Sequence, residues 1–572
     1  MKPNKISGKL VAALGASLIA TGCAAGPRSV GMFPDLSADG TVNELDVAGS
    51  VSPTKGTLPP KPVVLVNNDS DARSGEPDWS DDLINGEADL EDLTLVLVDP
   101  VMNIPDDALI TLKANPEALP HVRVFKAASA DAGPGDYVNV PLNDRGHITP
   151  ADLAAGFVLR VEAKSFAQRG WDGSISLTLE ATKGDKEKVV AIGGVELKAS
   201  PWIMLSGLAP ARQFFVREYP GRNDTLLAQL RQIIPTANSK LVVVPEESIS
   251  GYRPNHIWMQ DVMEIGYTET VGRRMNVVLK AHRNKSLDAY PKEGLLGPDF
   301  GWFEIGQYRP EFGVGDGGDS WLDWYGNLEA TPPLPNYPLG RVYYGVSGNN
   351  SLNPEIVDMI NAQGVQGPAL GLDVGWLMIR HVDEMILFLP TGKADRPYKL
   401  AYPSFVEFEK TMKAAQAAGA GESKVFDRFH DYWKQTYTVN SLLANEELMQ
   451  HNRQLEETRI KPMLKVALEG FGLTEADLLP IPALHAKDGG AICPNMVNAA
   501  LVNGHLIVSD PNGPIINGKD PLQERLRELL ADLPVTIHFV DDRQYHKWSG
   551  NSHCATNATR DGFEQPYWEL LK

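Results

Sequence analysis

The chain changes texture at Pro201, and that change limits its fold more than any other feature. Between about residues 61 and 200 the apolar runs are short, β-prone and separated by turn residues, at 63–66, 93–98, 122–125, 157–162 and 175–180. Runs of this kind predict an all-β unit. Their number and spacing fit an immunoglobulin-like β-sandwich. Beyond Pro201 short apolar strands alternate with helical patterns such as 224–234 and 522–530, and the stretch 405–470 is long, charged and mostly helical. The region 201–572 therefore reads as a separate α/β or α+β domain. A chain of 572 residues is too long for one ordinary core, so an α+β multidomain layout is expected. No internal repeat stands out, and no Walker or dinucleotide glycine pattern occurs. The glycine run at 313–319 leads into no clear helix and reads as a loop rather than a phosphate cradle.

The first residues are not fold. Lys2, Lys5 and Lys9 form a basic stretch, residues 10–20 are apolar, and Thr21-Gly22-Cys23 follows. This is the pattern of a bacterial export signal, 1–23, ending in a lipobox, with Cys23 as the lipidated residue. Residues 24–60 are rich in Gly, Pro, Ser, Asp and Thr and predict a flexible tether. The expected location is a lipid-anchored one in the cell envelope, periplasm-facing or at the outer membrane. A net charge of −20 argues against non-specific nucleic-acid binding and suits cationic partners, such as arginine-bearing peptides or calcium. A homodimer stays open alongside them. With Cys23 lipidated, two of the three cysteines remain as thiols. That is too few for a disulfide framework, so at least one reads as catalytic. Cys493 lies in an apolar stretch and reads as a buried filler, although a disulfide to Cys554 stays open. Cys554 sits in a loop after Gly550, Asn551 and Ser552, preceded by His553.

Two other polar islands interrupt apolar runs, at 258–267 and 379–390. Taken as a strand, 258–267 puts Gln260 and Glu264 on one face and Asp261 on the other. One carboxylate can then face a substrate while the Gln/Glu pair faces a metal. In the second island, read the same way, His381 and Asp383 share a face while Arg380 and Glu384 point oppositely. Alone, each island fits a strand with a paired buried charge equally well. Together with Cys554 they offer a thiol nucleophile, a histidine and two carboxylates, a set able to hydrolyse a bound guanidinium. In the β region, Asn67, Asp69 and Asp71, followed by Asp78, Asp81, Asp89 and Asp92, place acidic groups as calcium-binding loops do.

These islands, in this order, resemble the calcium-dependent protein-arginine deiminases. That family carries a Trp-x-Gln-Asp-x-Met-Glu-x-Gly-Tyr block, a His-Val-Asp-Glu block and a His-Cys-x-Thr-Asn block. Matching stretches at 200–204, 297–301, 326–329, 337–341, 494–498 and 513–518 extend the similarity from about residue 61 to the C-terminus. The signal and tether stand where vertebrate members begin with a further β domain. The resemblance implies that 201–572 is a five-bladed α/β-propeller of the guanidino-group-modifying type. It implies that Asp261 and Asp383 grip the substrate guanidinium, that Cys554 attacks its carbon, and that His381 serves as acid and then base. Trp258 would line the substrate channel. A family substrate-positioning arginine falls at or near Lys285, with Arg283 close by, and lysine cannot fork onto a carbonyl as arginine does. The implied cofactor is Ca2+, held by Gln260, Glu264 and Glu329 with the carbonyls of Tyr325 and Leu328, and in the β region by Asn67, Asp69, Asp71, Asp89 and Asp92. The implied activity is calcium-dependent conversion of peptidyl-arginine to peptidyl-citrulline and ammonia. The alternatives are a deiminase of free arginine, agmatine or another small guanidine, and a catalytically inert calcium-binding surface lipoprotein.

Overall fold

A computed structural model describes residues 26–44, 46–47, 58–183, 188–245, 256–283, 285–309, 318–429 and 436–572. The export signal, Cys23 and most of the glycine run at 313–319 lie outside the described residues.

The N-terminal unit is built from two sheets that share one core. One sheet orders Arg28–Ser29, Lys188–Ala199, Ser174–Lys183, Leu109–Ala114 and Arg145–Ile148, with Val63–Val64 also paired to Lys188–Ala199. The other orders Met32–Pro34, Thr94–Val98, Phe157–Ala163, Val122–Ala127 and Val138–Asn139. Leu177 and Leu179 from the first sheet and Val96, Leu159 and Val161 from the second meet in the largest hydrophobic cluster. Every β-prone run read from the sequence contains a strand, although Leu65, Val66 and Leu93 lie outside theirs.

The tether is the correction here. Residues 28–34 are not a linker: Arg28–Ser29 pairs parallel to Lys188–Ala199 and Met32–Pro34 pairs antiparallel to Thr94–Val98. Val30 and Met32 are buried in the shared core. The strand lies directly on Gly193, where a Cβ would stand 2.1 Å from the Val30 carbonyl oxygen. Two apolar residues with a glycine between them are too short a signal for any periodicity to detect. The turn that follows is also ordered by side chains, with Asp35 accepting the Gly40 N–H at 2.8 Å and Asp46 accepting the Leu36 N–H at 3.0 Å.

Beyond Pro201 the described residues form five sheets of three or four strands, besides a small two-stranded one. Each combines an antiparallel pair with a parallel pair. The antiparallel pairs are Met263–Thr270 with Arg273–Lys280, Leu328–Ala330 with Val342–Ser347, Leu387–Pro390 with Tyr398–Ser404, Ala500–Val502 with His505–Ser509, and Thr556–Arg560 with Ala211–Arg217. In each sheet the second strand of that pair also has a parallel partner: Phe300–Phe303, Leu370–Asp373, Leu478–Pro482, Thr536–Val540 and Lys240–Val244 respectively. Parallel neighbours need a crossover connection, usually helical. Asp224–Thr236 supplies one, burying Leu226, Leu227, Leu230 and Ile234 along one stripe. Pro521–Leu529 supplies another, opened by Asp520, whose carboxylate accepts the N–H groups of Leu522 and Gln523. The fivefold recurrence is structural, for no sequence repeat accompanies it. The last strand, Thr556–Arg560, pairs with Ala211–Arg217 from the start of the domain, so residues more than 300 positions apart are joined side by side.

The two units are fused. The largest core cluster continues from the β unit into Trp202, Met275, Val277 and Leu279. At the seam the Trp302 N–H donates to the Asn68 carbonyl at 3.0 Å and the Asp299 N–H to Asp69 at 2.9 Å.

Candidate active site

The strand in each sheet that lacks the parallel partner is entered through a turn, and these turns converge. Asp261 lies in the helical turn Met259–Val262 ahead of Met263–Thr270. Gly326 lies in the turn Tyr325–Asn327 ahead of Leu328–Ala330. His381 caps and Asp383 belongs to the turn Val382–Glu384 ahead of Leu387–Pro390. Asn498 precedes Ala500–Val502, and Cys554 precedes Thr556–Arg560.

Neither polar island is the strand expected of it. Each is a helical turn followed by a strand, so strict face alternation does not apply. Gln260 in the helical turn meets Glu264 in the strand that follows, its amide donating to Glu264 at 3.0 Å. His381 and Asp383 from the other turn and Cys554 from the turn ahead of Thr556–Arg560 each place a ligand-type atom within 4.8 Å of the others. The sharing of a side by His381 and Asp383 therefore holds, but through a 3-10 turn.

Cys554 is buried. Its Sγ lies 3.3 Å from Asp383 Oδ2 and 3.2 Å from Asn498 Nδ2. Burial pushes its thiol well above the ordinary value, and the carboxylates of Asp383, Asp261 and Glu384 push it further. Burial also lifts Asp261 to about 6, opposed by His381 and Arg283. The His381 Nε2 stands 2.9 Å from the Trp321 carbonyl, which only accepts, so that nitrogen carries the hydrogen. Its Nδ1 therefore faces the site, 3.6 Å from Asp261 Oδ1. Among the described residues that Nδ1, Asp261 Oδ1 and Asp383 Oδ1 are buried with no hydrogen-bond partner. They surround Gly326. A Cβ there would stand 2.4 Å from His381 Nδ1, 3.0 Å from Asp261 Oδ1 and 3.2 Å from Asp383 Oδ2. The arrangement is a small acidic cradle beside a thiol, fitted to a planar, donor-rich cation.

Trp258 packs edge-on against Tyr545 at 5.5 Å and closes over Gly550, where a Cβ would meet its ring at 2.4 Å and the Cys554 Cβ at 3.3 Å. It thus borders the nucleophile. Arg283 is buried, with Nε 3.0 Å from Asp288, Nη1 3.8 Å from Asp261 and its guanidinium 5.0 Å over Trp324. Lys285 heads the turn Ser286–Ala289 through its backbone N–H, which donates to Asp288 at 3.1 Å. Cys493 is a buried free thiol in a different hydrophobic cluster from Cys554, and no disulfide joins them.

Beside the cradle, Glu264 is buried and Glu329 half-buried. Burial raises Glu264 well above the carboxylate range, and Glu329 raises it further. Among the described residues Glu329 Oε1 has no hydrogen-bond partner. The Gln260 amide reaches the Tyr325 carbonyl at 3.2 Å, and Leu328 is fully buried at the head of its strand. Two neighbouring carboxylates with a carbonyl and an amide make a donor set that fits a hard divalent cation. In the β unit Asp69, Asp71 and Asp92 place oxygens within 4.8 Å of one another. Asn67 Oδ1, Asp69 Oδ1 and Asp71 Oδ2 are buried without partners, and burial lifts Asp69 to about 8. Asp89 stands one step away, accepting from the Asn67 amide at 2.9 Å. This donor set fits a hard cation as well.

Two contributors escaped sequence reasoning. Gly326 acts by lacking a side chain. Asn498 lay inside the stretch 494–498, with nothing to single it out. His553, read from the sequence only as the neighbour of Cys554, joins the two sites, with Nδ1 2.9 Å from Asp383 and Nε2 3.5 Å from Glu329.

The family model described as Protein-arginine deiminase (PAD) matches residues 190–569, and the one described as Protein-arginine deiminase (PAD) middle domain matches residues 29–183. Protein-arginine deiminase type-4 of Rattus norvegicus is 30% identical over 538 residues, covering 89% of this chain and 78% of its own length. Protein-arginine deiminase type-1 of Homo sapiens is 30% identical over 535 residues, with the same coverage. Among solved structures, a C. jejuni agmatine deiminase covers 64% of this chain and 98% of its own, at 13% identity and a TM-score of 0.38.

Proposed function

The chain belongs to the protein-arginine deiminase family, and from that premise we propose that it hydrolyses peptidyl-arginine to peptidyl-citrulline and ammonia through a covalent thiouronium on Cys554. The observation that carries this reading is the convergence of Cys554, His381 and Asp383 within 4.8 Å, with Asp261 beside them around Gly326.

In this reading Asp261 and Asp383 take the substrate guanidinium in charge-assisted hydrogen bonds. The substrate cation offsets carboxylates that otherwise oppose ionisation of the thiol. The Cys554 thiol gives its proton to His381 Nδ1, and the thiolate attacks the guanidinium carbon, forming a carbon–sulfur bond. His381, now protonated at Nδ1, gives that proton to the departing nitrogen, which leaves as ammonia. The same Nδ1 then takes a proton from water as its oxygen adds to the carbon. The added hydroxyl loses its remaining proton to solvent as the carbon–sulfur bond breaks, its electron pair returns to sulfur, and citrulline is released. Trp258 flanks the substrate stem. Arg283 is engaged with Asp261 and Asp288 and steadies the cradle.

The five small sheets are read as five blades of the guanidino-modifying propeller, and the N-terminal unit as an immunoglobulin-like sandwich. Gln260, Glu264, Glu329 and the Tyr325 and Leu328 carbonyls would hold one calcium ion. Asn67, Asp69, Asp71, Asp89 and Asp92 would hold calcium in the β unit. When bound, calcium would add positive charge beside Glu264 and Glu329. Attachment to a cell-envelope membrane through lipidated Cys23 completes the proposal. It is tested by fatty-acid labelling of the exported chain, which Cys23→Ala should abolish.

The function is tested by citrulline release from an arginine peptide and from free L-arginine, with calcium and with chelator. Calcium-dependent peptide turnover lost in Cys554→Ala is the expected outcome. Turnover of free arginine alone overturns the peptide assignment, and turnover persisting in Cys554→Ala overturns the nucleophile.

A further inference from the structure

Four of the five converging turns supply a group that the reaction uses or must leave space for. The fifth, ahead of Ala500–Val502, brings Asn498 against the reacting atom. Asn498 is buried, with Nδ2 3.2 Å from Cys554 Sγ. The Cys554 backbone N–H donates to its Oδ1, also at 3.2 Å. A backbone N–H can only donate, so the amide oxygen must face it and the NH2 group must face the sulfur. The Asn498 carbonyl accepts from the His553 N–H at 3.2 Å. One asparagine therefore holds two consecutive residues of the nucleophile loop and points a donor at the thiol.

That donor stands against unfavourable surroundings. The sulfur's other side-chain hydrogen-bond neighbour is Asp383 Oδ2 at 3.3 Å, and Asp261 and Glu384 add further negative charge. Among the described residues, Asn498 is the one side chain donating a hydrogen bond to the sulfur, with a backbone contribution from Asn551. A neutral donor beside a thiolate lowers the cost of forming it, and charge-assisted bonds are about twice as strong as neutral ones.

We propose that Asn498 is a further catalytic residue, whose amide N–H stabilises the Cys554 thiolate before attack and again as the carbon–sulfur bond breaks. Asn498 moves no proton; it holds charge at the sulfur in both half-reactions. The inference rests on the reading of Cys554 as nucleophile. It deepens that reading by assigning the fifth turn a role.

The test, run on the full chain in saturating calcium because the Gln260 N–H donates to the Cys554 carbonyl, measures the pH dependence of Cys554 labelling by iodoacetamide, reading the Cys554 peptide by mass spectrometry so that Cys493 does not contribute. Asn498→Ala is expected to move the labelling midpoint up by about one pH unit or more, roughly tenfold slower labelling below the midpoint. Asn498→Asp keeps the acceptor for the Cys554 N–H but replaces the donor with a charge. It should fold with a lowered melting midpoint, because a buried carboxylate joins those of Asp383 and Asp261, and shift the labelling further. In the citrulline assay kcat should fall while KM changes little. A folded Asn498→Ala with an unmoved midpoint overturns the proposal, even if Asn498→Asp shifts, because the effect would then be charge alone. If Asn498→Ala does not fold, Asn498→Ser, neutral and too short to reach the sulfur, replaces it under the same criteria. Labelling needs no substrate. Shifts as expected without any citrulline release would support Asn498 and count against the deiminase reading.

Discussion

Replacing Gly326 by alanine should remove activity while leaving the fold in place, and the size of the effect follows from the geometry. The Gly326 φ lies outside the left-handed region, so alanine can adopt the backbone as it stands. The added Cβ would meet His381 Nδ1 at 2.4 Å, Asp261 Oδ1 at 3.0 Å and Asp383 Oδ2 at 3.2 Å. Non-bonded heavy atoms rest at about 3.5–4.0 Å, so His381 must retreat by about 1 Å. All three groups are ones the substrate guanidinium would use. A hydrogen bond to a charged group contributes about 1.5–3 kcal/mol, so losing two costs about 3–6 kcal/mol. At about 1.4 kcal/mol per decade this is a roughly 10²- to 10⁴-fold fall in kcat/KM. Overpacking a closed site costs about 1–3 kcal/mol of stability, so the protein should still melt cooperatively, a few degrees lower. The assay is citrulline release against peptide concentration, with a thermal melt on the same preparation. A folded Gly326→Ala enzyme within tenfold of wild-type kcat/KM would refute the placement of the guanidinium at this glycine.

In chelator, stability should fall as pH rises. Folded Asp69 sits at about 8 and Asp78 and Asp92 at about 7, chiefly through burial, against an ordinary 3.8. The folded state holds protons that the unfolded chain has released, so the stabilisation present at low pH is lost as pH climbs through the folded values. Melts between about pH 5 and about pH 8 should show this slope, and saturating calcium should flatten it; an unchanged slope would remove the cation site from the β unit. Arg380→Gly should leave the melting midpoint nearly unchanged, because Arg380 already has a φ of +65° that suits glycine. It should lower kcat by roughly 2- to 10-fold, the worth of one ordinary hydrogen bond, as the Arg380–Asp319 ion pair beside His381 is lost; an unaltered kcat would show that the pair does not steady His381. Cys493→Ala should cost about 1 kcal/mol for a deleted buried atom and leave citrulline release intact, so inactivity would point to a role for Cys493 beyond packing.

The expected strands of the β unit survived because each is a run of β-branched and apolar residues long enough to alternate, as Ser174–Lys183 does with every second residue buried. The strand Met32–Pro34 did not register, because its partners lie more than 60 positions away and its own signal is two side chains. The polar islands were legible as chemistry but not as geometry. Gln, Asp, His and Cys in apolar runs mark groups that must find partners, yet whether a run of four residues turns or extends is settled by what it packs against.

Residue identity alone placed the thiol, the histidine and both carboxylates, since their chemistry travels with the side chain, and the order of the motifs pointed to one family. Tertiary structure alone decided that five turns meet, for each is delivered by a different sheet and the sheets close by pairing Thr556–Arg560 with Ala211–Arg217. It also decided the roles of Gly326 and Asn498. One acts through the space left by a missing Cβ and the other through the direction of an amide, and neither property exists until distant segments stand a few ångströms apart.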